Sequence, residues 1–203
     1  MLPAAAVVAA FVATAAPAPA QSSSFSGPFV GVDVGQQHLI GGALVDGVDT
    51  LQQDSRLVGS AVAGLRGHVG RLVLGGEFGV GRTDGDLILE APARDLIVRY
   101  ENRGQWHWAL TAGPTIGAGT VIYAYLWEVT RQFDVTVVQG GVSTTQNDEQ
   151  GLLRYGVGVE HRLRGPLHVR VTAGTSRADF GGRATNITIG RRLDASVAVL
   201  LQF

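Results

Sequence analysis

Residues 191–203 read RRLDASVAVLLQF, and this stretch decides the fold class. Apolar side chains occupy every second position from Leu193 to Phe203, with Asp194 and Ser196 among the residues between them. A period of two places the apolar side chains on one face of a β-strand. A single strand leaves its backbone groups unpaired, so the stretch predicts neighbouring strands in a sheet.

Composition narrows the class of protein. The chain has 203 residues, which is enough for one domain or a small barrel. Its net charge of -1 argues against a nucleic-acid partner, and the absence of cysteine excludes disulfides and thiolate metal sites. The 29 glycines in a chain that is 45% hydrophobic favour many strands joined by turns.

The first 20 residues are predicted to be a cleavable signal peptide. Residues 4–16 form a small, apolar run, and the following PAPA contains the A-x-A pattern that predicts cleavage before Gln21. No lysine or arginine precedes the run, which is shorter than the roughly 20 residues of a membrane-spanning helix. We expect a short polar lead-in over residues 21–27 and a β-barrel over residues 28–203.

Seven more stretches resemble the last one in their alternation, so the sequence predicts eight strands in an all-β, antiparallel, up-and-down barrel. Short and long connections alternate between them, and eight strands close a narrow barrel with a side-chain-filled interior. Two of the long connections are themselves patterned, at residues 96–100 and 133–138, and are expected to form hairpins. The seven stretches are residues 28–39, 56–66, 72–82, 105–115, 120–130, 151–162 and 167–175.

Alternation alone fits both a membrane barrel with an apolar outside and a soluble lipocalin-like barrel with an apolar inside. The polar faces carry Gly, Ser and Thr with isolated charges, whereas a soluble surface would carry far more Lys and Glu. Aromatic residues near strand ends are predicted to form girdles at the lipid headgroups. They are Trp106, Trp108, Tyr123, Trp127, Tyr155 and Phe203.

The opening strand GPFVGV at residues 27–32, the eight alternating strands and the terminal Phe203 resemble a known family. It is the family of small eight-stranded outer-membrane β-barrel proteins, which holds the outer-membrane protein A barrel and the opacity-type adhesins. The resemblance implies export through the periplasm to the outer membrane of a Gram-negative bacterium, with the long loops outside. It also implies that Phe203 is read by the barrel-assembly machinery.

A polar network is predicted in the lumen. Counting from the turns places Glu160 opposite Arg170, Arg162 opposite His168, His107 opposite Glu128, and Ser60 opposite Glu77. Buried charges persist only when they are paired, so this network is expected to fix the strand register. Its predicted members are Asp33, Ser60, Glu77, His107, Glu128, Arg154, Glu160, Arg170 and Asp194.

The expected function is structural or adhesive, without catalysis, cofactor or metal. We expect a monomer surrounded by outer-membrane lipid, with a protein or surface ligand at the long hairpins. The first alternative is a lipid-modifying enzyme of the lipid A deacylase or acyltransferase kind, which needs a serine, a histidine and a carboxylate at the outer end. Ser143, Ser176, Asp84 and Asp179 are candidates there, but the histidines lie lower in the strands. A soluble lipocalin-like ligand-binding barrel is the second alternative.

Overall fold

The computed structural model describes residues 25–45, 48–91, 95–179 and 193–203. The predicted signal peptide and the tip of the last long connection lie outside the described residues. Within these ranges no helix is long and apolar enough to cross a membrane. The nine strands are β1 (Gly27–Val45), β2 (Val48–Val69), β3 (Leu72–Thr83), β4 (Leu87–Ala91), β5 (Leu96–Ile116), β6 (Thr120–Gln139), β7 (Val142–Arg164), β8 (Leu167–Asp179) and β9 (Leu193–Gln202).

The strands close into an eight-stranded antiparallel barrel, as predicted. Strands that follow each other in the chain pair, apart from β3 and β4; β9 pairs with β1, and β3 pairs directly with β5. The short β4 pairs with β5 further along, so β3 and β4 together occupy one position in the barrel wall. Closure pairs each strand of the membrane part with a neighbour on both sides.

The two ends of the barrel differ. At one end the strands meet in tight turns, where Gly70, Gly117 and Gly165 adopt φ near 60° (64°, 63° and 57°). At the other end they continue as long hairpins: β6 and β7 stay paired to Gln139 and Val142, and β1 and β2 to Val45 and Val48. The connection after the first predicted strand is therefore strand, not irregular loop. Bacterial barrels have short periplasmic turns and longer extracellular loops, which sets the orientation.

The apolar face of the barrel points outward. In β9, Val197 and Val199 are 52% and 43% exposed, whereas Ser196 and Leu200 are 5% and 0% exposed. Apolar side chains are exposed on the other wall strands too, for example Leu110 on β5 at 54%. An apolar band of this extent is stable in lipid and not in water. This excludes the lipocalin-like alternative, in which the apolar face would line the interior.

One strand is turned the other way from the prediction. On β6, Tyr123 and Trp127 are 6% and 2% exposed inside the lumen, whereas Glu128 is exposed on the outer face. The predicted membership of Tyr123 and Trp127 in the lipid-facing girdle is wrong, and so is the lumen position of Glu128. The ladder pairs Glu128 with Trp108 and not with His107, a difference of one residue.

Glycines explain why β6 directs its aromatic side chains inward. A Cβ atom on Gly158 would meet the ring of Tyr123, and one on Gly156 or Gly174 would meet the hydroxyl of Tyr125. Strands β7 and β8 therefore leave space in the lumen that the large side chains of β6 fill. A close-packed interior needs this pairing of large and small residues.

The segment before β1 enters the barrel. Phe25 is 1% exposed, and its ring meets that of His168 edge-on with centroids 5.1 Å apart. It belongs to the same apolar cluster as Tyr123 and Trp127. The end of the predicted polar lead-in thus closes the periplasmic end of the lumen.

Candidate functional site: the lumen network and the extracellular sheet

Arg170 on β8 is the centre of the first lumen cluster. Its guanidinium donates to both carboxylate oxygens of Glu77 on β3, with Nη2 lying 3.2 Å from Oε1. Asp33 Oδ2 lies 3.7 Å from Arg170 Nη2, and His107 Nε2 lies 3.4 Å from Glu77 Oε1. All four side chains are buried, so the charges compensate one another away from water.

Glu160 on β7 is the centre of a second cluster. It accepts a hydrogen bond from Arg66 of β2, and its Oε1 lies 2.9 Å from Nδ1 of His168. The Arg66 guanidinium stacks over the ring of Phe29 at 4.0 Å from the centroid. Each of the two buried glutamates therefore contacts one arginine and one histidine.

A third set of contacts lies toward the outer end. Arg154 Nε is 3.4 Å from Asp194 Oδ2, and the Arg154 guanidinium lies over the ring of Trp127 at 4.8 Å. Nearby, the Ser196 hydroxyl lies 2.9 Å from Asp33 Oδ2 and 2.7 Å from the Thr172 hydroxyl. Above them, Arg131 donates to the side-chain oxygens of Gln37 and Gln105.

The predicted ladder partners are only partly the observed contacts. Glu160 is paired with Arg170 in the ladder, as predicted, but Arg170 forms its hydrogen bonds with Glu77 across the lumen. Ser60 is buried inside but pairs with Gly81, so its predicted position opposite Glu77 is wrong. Arg162 pairs with His168 as predicted, but its side chain is exposed.

Several members of the network were not predicted. Arg66 lies at the end of a predicted strand on its polar face, so the alternation already indicated an inward side chain. Arg131 follows directly after the predicted end of a strand at residue 130. Extending the predicted alternation would have placed it on the lipid-facing side with Tyr123 and Trp127, so it was missed because the orientation of β6 was wrong. Gln37 and Thr172 are uncharged, so nothing in the sequence distinguished them from the other polar residues of their strands.

The remaining aromatic residues of the predicted girdle lie on the outer face. Trp106, Tyr155 and Phe203 are 36%, 40% and 69% exposed. Trp108 is half-buried, and Trp106 stacks on Phe78 with centroids 6.3 Å apart.

The lumen is filled by these side chains. A cavity of about 10 Å³ remains between Glu77, Glu160 and Arg170, which is room for roughly one water molecule. No cluster of three or more potential metal ligands occurs in the described part of the chain. Side-chain packing of this kind is typical of an eight-stranded barrel.

The second candidate region stands above the barrel. The extracellular sheet, as we define it, consists of residues 87–91, 96–103, 132–139 and 142–149, taken from β4, β5, β6 and β7 in that order. One face has its own apolar core, where the rings of Tyr100 and Phe133 meet edge-on at 6.2 Å. The buried members of this core are Leu89, Val98, Phe133 and Val135.

Polar contacts hold the other face of the extracellular sheet. Arg99 Nη2 lies 2.6 Å from Asp86 Oδ2, and Arg103 Nε lies 2.5 Å from Asp134 Oδ2. The hydrogen bond to Asp86 raises the pKa of Arg99. Arg103 lies at a register shift between Asn102 and Gly104, which marks a β-bulge at the base of the sheet.

The edge of the extracellular sheet at β7 is exposed. Every residue from 142 to 149 is exposed, and the stretch pairs with β6 on one side. On the other side β8 begins pairing only at Gly151, so among the described residues this edge has no partner strand. Such an edge offers backbone donors and acceptors to another chain.

Together, the closed eight-stranded barrel, the lipid-facing apolar band and the two unlike ends define an outer-membrane β-barrel. Solved structures share this fold. The major outer membrane protein from Thermus thermophilus is 14% identical, with 86% of this chain and 99% of that chain covered at a TM-score of 0.51. Neisserial surface protein A is 13% identical, with 88% and 98% covered at a TM-score of 0.48.

The attachment invasion locus protein of Yersinia pestis, Ail, is 15% identical, with 86% of this chain and 95% of that chain covered at a TM-score of 0.44. The sequence matches no protein-family model. It also has no significant similarity to any curated protein. At these identities the likeness shows the fold, so any role must be argued from this chain's own residues.

Proposed function

We propose that this barrel is a non-enzymatic outer-membrane scaffold that presents its extracellular sheet to another macromolecule, in an adhesive or interaction role. The observation that carries the proposal is the exposed β7 edge, residues 142–149. A rigid barrel holds this edge above the membrane, and the apolar core around Phe133 keeps it extended. An extended partner can add to such an edge as a further strand.

The hairpin turn shows which backbone groups the edge offers. Gly140 and Gly141 have φ of 57° and 76°, the signature of a two-residue type I′ turn, closed by the pair Gln139 and Val142. Hydrogen-bonded and non-hydrogen-bonded pairs alternate away from such a turn. The backbone groups that point away from β6 are therefore those of Ser143, Thr145, Asn147 and Glu149.

Charge favours a basic partner. Carboxylates outnumber guanidinium groups over residues 84–104 and 132–149, where Glu90, Glu101, Asp148 and Glu149 have exposed side chains. An acidic surface attracts cationic segments and repels polyanions. Ail has been solved with the heparin analogue sucrose octasulfate. The acidic surface of this chain favours the opposite class of ligand, an extended basic peptide segment.

The arrangement of serines and histidines favours a non-enzymatic role. Ser143 stands in the hairpin opposite Val138, and Ser176 lies opposite Arg154 in the ladder. His107 and His168 are buried in the lumen beside Glu77 and Glu160. A serine hydrolase needs its histidine within hydrogen-bond reach of the nucleophile. Release of fatty acid from lipid A that disappears in Ser143→Ala or Ser176→Ala would contradict this part of the proposal.

Assembly is part of the proposal as well. Phe203 is 69% exposed on the outer face, and its backbone N–H donates to Pro28 O at 2.8 Å. A ring displayed at the seam between β9 and β1 fits a role as the residue read by the barrel-assembly machinery. Phe203→Ala should then lower the yield of inserted barrel in cells without lowering its stability once folded.

A matched pair of variants tests the binding role. The barrel in nanodiscs is passed over immobilised extracellular-matrix and envelope proteins, together with Asn147→Pro and Asn147→Ala. Proline removes a backbone N–H from the free edge, whereas alanine retains it. We expect Asn147→Pro to weaken binding about tenfold and Asn147→Ala to bind like the wild type. Equal binding by both variants, or no binding by the wild type, would contradict the proposal.

A further inference from the structure

The barrel wall contains a notch at the outer end of β3. β3 ends at Thr83, whereas its neighbours β2 and β5 continue outward. The chain resumes in β4 at Leu87, which pairs with β5 and, among the described residues, not with β2. The backbone N–H of Asp84 donates to Leu57 O at 2.9 Å and closes the lower edge. The opening is a cavity of about 380 Å³, here called the notch.

The notch extends across the thickness of the wall. Its outer side is lined by Val34 and Leu57, which are 55% and 61% exposed on the lipid-facing surface. Its inner side is lined by Val58, Thr83 and Asn102, which are at most 6% exposed. The notch is therefore open toward the surrounding lipid layer and is bounded on its inner side by polar side chains of the wall.

Polar groups at the inner side of the notch lack protein partners. The Thr83 hydroxyl and both amide atoms of Asn102 form no hydrogen bond in the part of the chain that the structure describes. Leaving such groups unsatisfied in a buried site is costly, so they favour a ligand that carries hydrogen-bonding oxygens. An amide and a hydroxyl both donate and accept, which suits hydroxyl groups and phosphate oxygens alike.

The positive charge of Arg82 at the rim of the notch favours an anionic ligand. Arg82 is exposed on the outer face, two residues beyond Val80, whose ladder partner is Trp106. Trp106 lies ten residues from the end of β5 at Ile116, which is about the length of a strand that spans a membrane, and exposed tryptophans are typical of the headgroup level. Arg82 forms no ion pair with any described residue, whereas Arg56 and Arg99 on the same rim are bound to Asp54 and Asp86.

We propose that the notch binds the headgroup of an outer-leaflet lipid that carries both phosphate and hydroxyl groups. Arg82 binds the phosphate, because a guanidinium matches phosphate geometry and charge. The exposed carboxylate of Asp84 accepts from the headgroup hydroxyls, and Thr83 and Asn102 complete their hydrogen bonds at the inner side. Leu57 and Val34 form the apolar sides of the notch, and the acyl chains lie along the lipid-facing surface below Arg82, which includes Val32 and Val80.

The test uses phosphatidylglycerol, whose headgroup carries a phosphate and hydroxyl groups, in competition with phosphatidylcholine. The barrel is released from nanodiscs that hold the two lipids in equal amounts, and native mass spectrometry measures the ratio of bound species. We expect the wild type to retain one phosphatidylglycerol in preference, and Arg82→Gln to lower the ratio about tenfold. Arg71→Gln is the matched control, since Arg71 is an exposed arginine at the opposite end of β3.

Two further measurements distinguish lipid binding in the notch from nonspecific attraction between an arginine and lipid headgroups. Thr83→Val removes one inner hydroxyl at nearly constant shape and should also lower the ratio of bound phosphatidylglycerol to phosphatidylcholine. If Arg82 only attracted headgroups nonspecifically, this substitution would leave the ratio unchanged. Inorganic phosphate in excess should not displace the lipid. An equal loss in Arg71→Gln, an unchanged ratio in Thr83→Val, or displacement by inorganic phosphate alone would overturn the proposal.

Discussion

At the scale of single residues, the lumen depends on two buried glutamates that each hold an arginine and a histidine. Glu77 contacts Arg170 and His107, and Glu160 contacts Arg66 and His168. The alternation of polar residues predicted that most of these side chains lie inside. It did not predict the contacts. Counting residues from a turn identifies partners on adjacent strands, whereas Glu77 and Arg170 lie on strands that face each other across the narrow lumen.

A double-mutant cycle measures the contact across the lumen. Arg170→Met removes the arginine that is paired with the buried Glu77 and should lower the free energy of unfolding by about 3–5 kcal/mol. Adding Glu77→Gln should restore part of the loss, which gives a coupling energy of about 1–3 kcal/mol. Urea unfolding in lipid vesicles, followed by tryptophan fluorescence, provides these values. A larger coupling between Glu160 and Arg170 would show that ladder neighbours, not the observed contacts, carry the interaction.

The glycines opposite β6 give a second prediction at this scale. A Cβ atom on Gly174 would collide with the Tyr125 hydroxyl and with backbone atoms of β7. Gly174→Ala should therefore destabilise the barrel by about 1–3 kcal/mol. Gly76 has no atom within 4 Å of the equivalent position, so Gly76→Ala should be near neutral in the same unfolding experiment. Equal costs for the two substitutions would contradict the assignment of Tyr125 to the lumen.

At the scale of elements, the strands could be predicted from the sequence, but the orientation of β6 could not. β9 alternates apolar and polar residues, so its two faces are unambiguous. β6 carries Tyr123 and Tyr125 on one face and Ile122 and Leu126 on the other, and both faces are apolar. The volume left by the glycines of β7 and β8 decides the orientation of β6, and that volume is a property of the assembled barrel.

The extracellular sheet is stabilised separately from the membrane part. Phe133 is 8% exposed in the small apolar core with Leu89, Val98 and Val135. Phe133→Ala removes most of this packing, at a cost of about 3–5 kcal/mol. We expect faster hydrogen exchange in residues 96–103 and 132–139, with unchanged heat-modifiable migration of the barrel on a gel. Unchanged exchange in these residues would show that the sheet depends on the barrel alone.

At the scale of the whole molecule, closure of the barrel determines how the strands are paired. Each strand satisfies its backbone groups only in the closed barrel, because lipid offers no hydrogen bonds. The count of eight alternating strands and the alternation of short and long connections predicted this closure. The break between β3 and β4 was not predicted, since the connection between the third and fourth predicted strands was expected to continue both of them as one hairpin.

The central claim, a barrel with its apolar face in lipid, has a direct test in β9. The chain contains no cysteine, so single cysteines can be introduced and labelled without background. Fluorophores attached at positions 196–199 are quenched with spin-labelled lipid in vesicles. We predict strong quenching at Val197 and Val199 and weak quenching at Ser196 and Ala198. Equal quenching at all four positions, or strong quenching at Ser196 and Ala198 alone, would contradict the barrel described here.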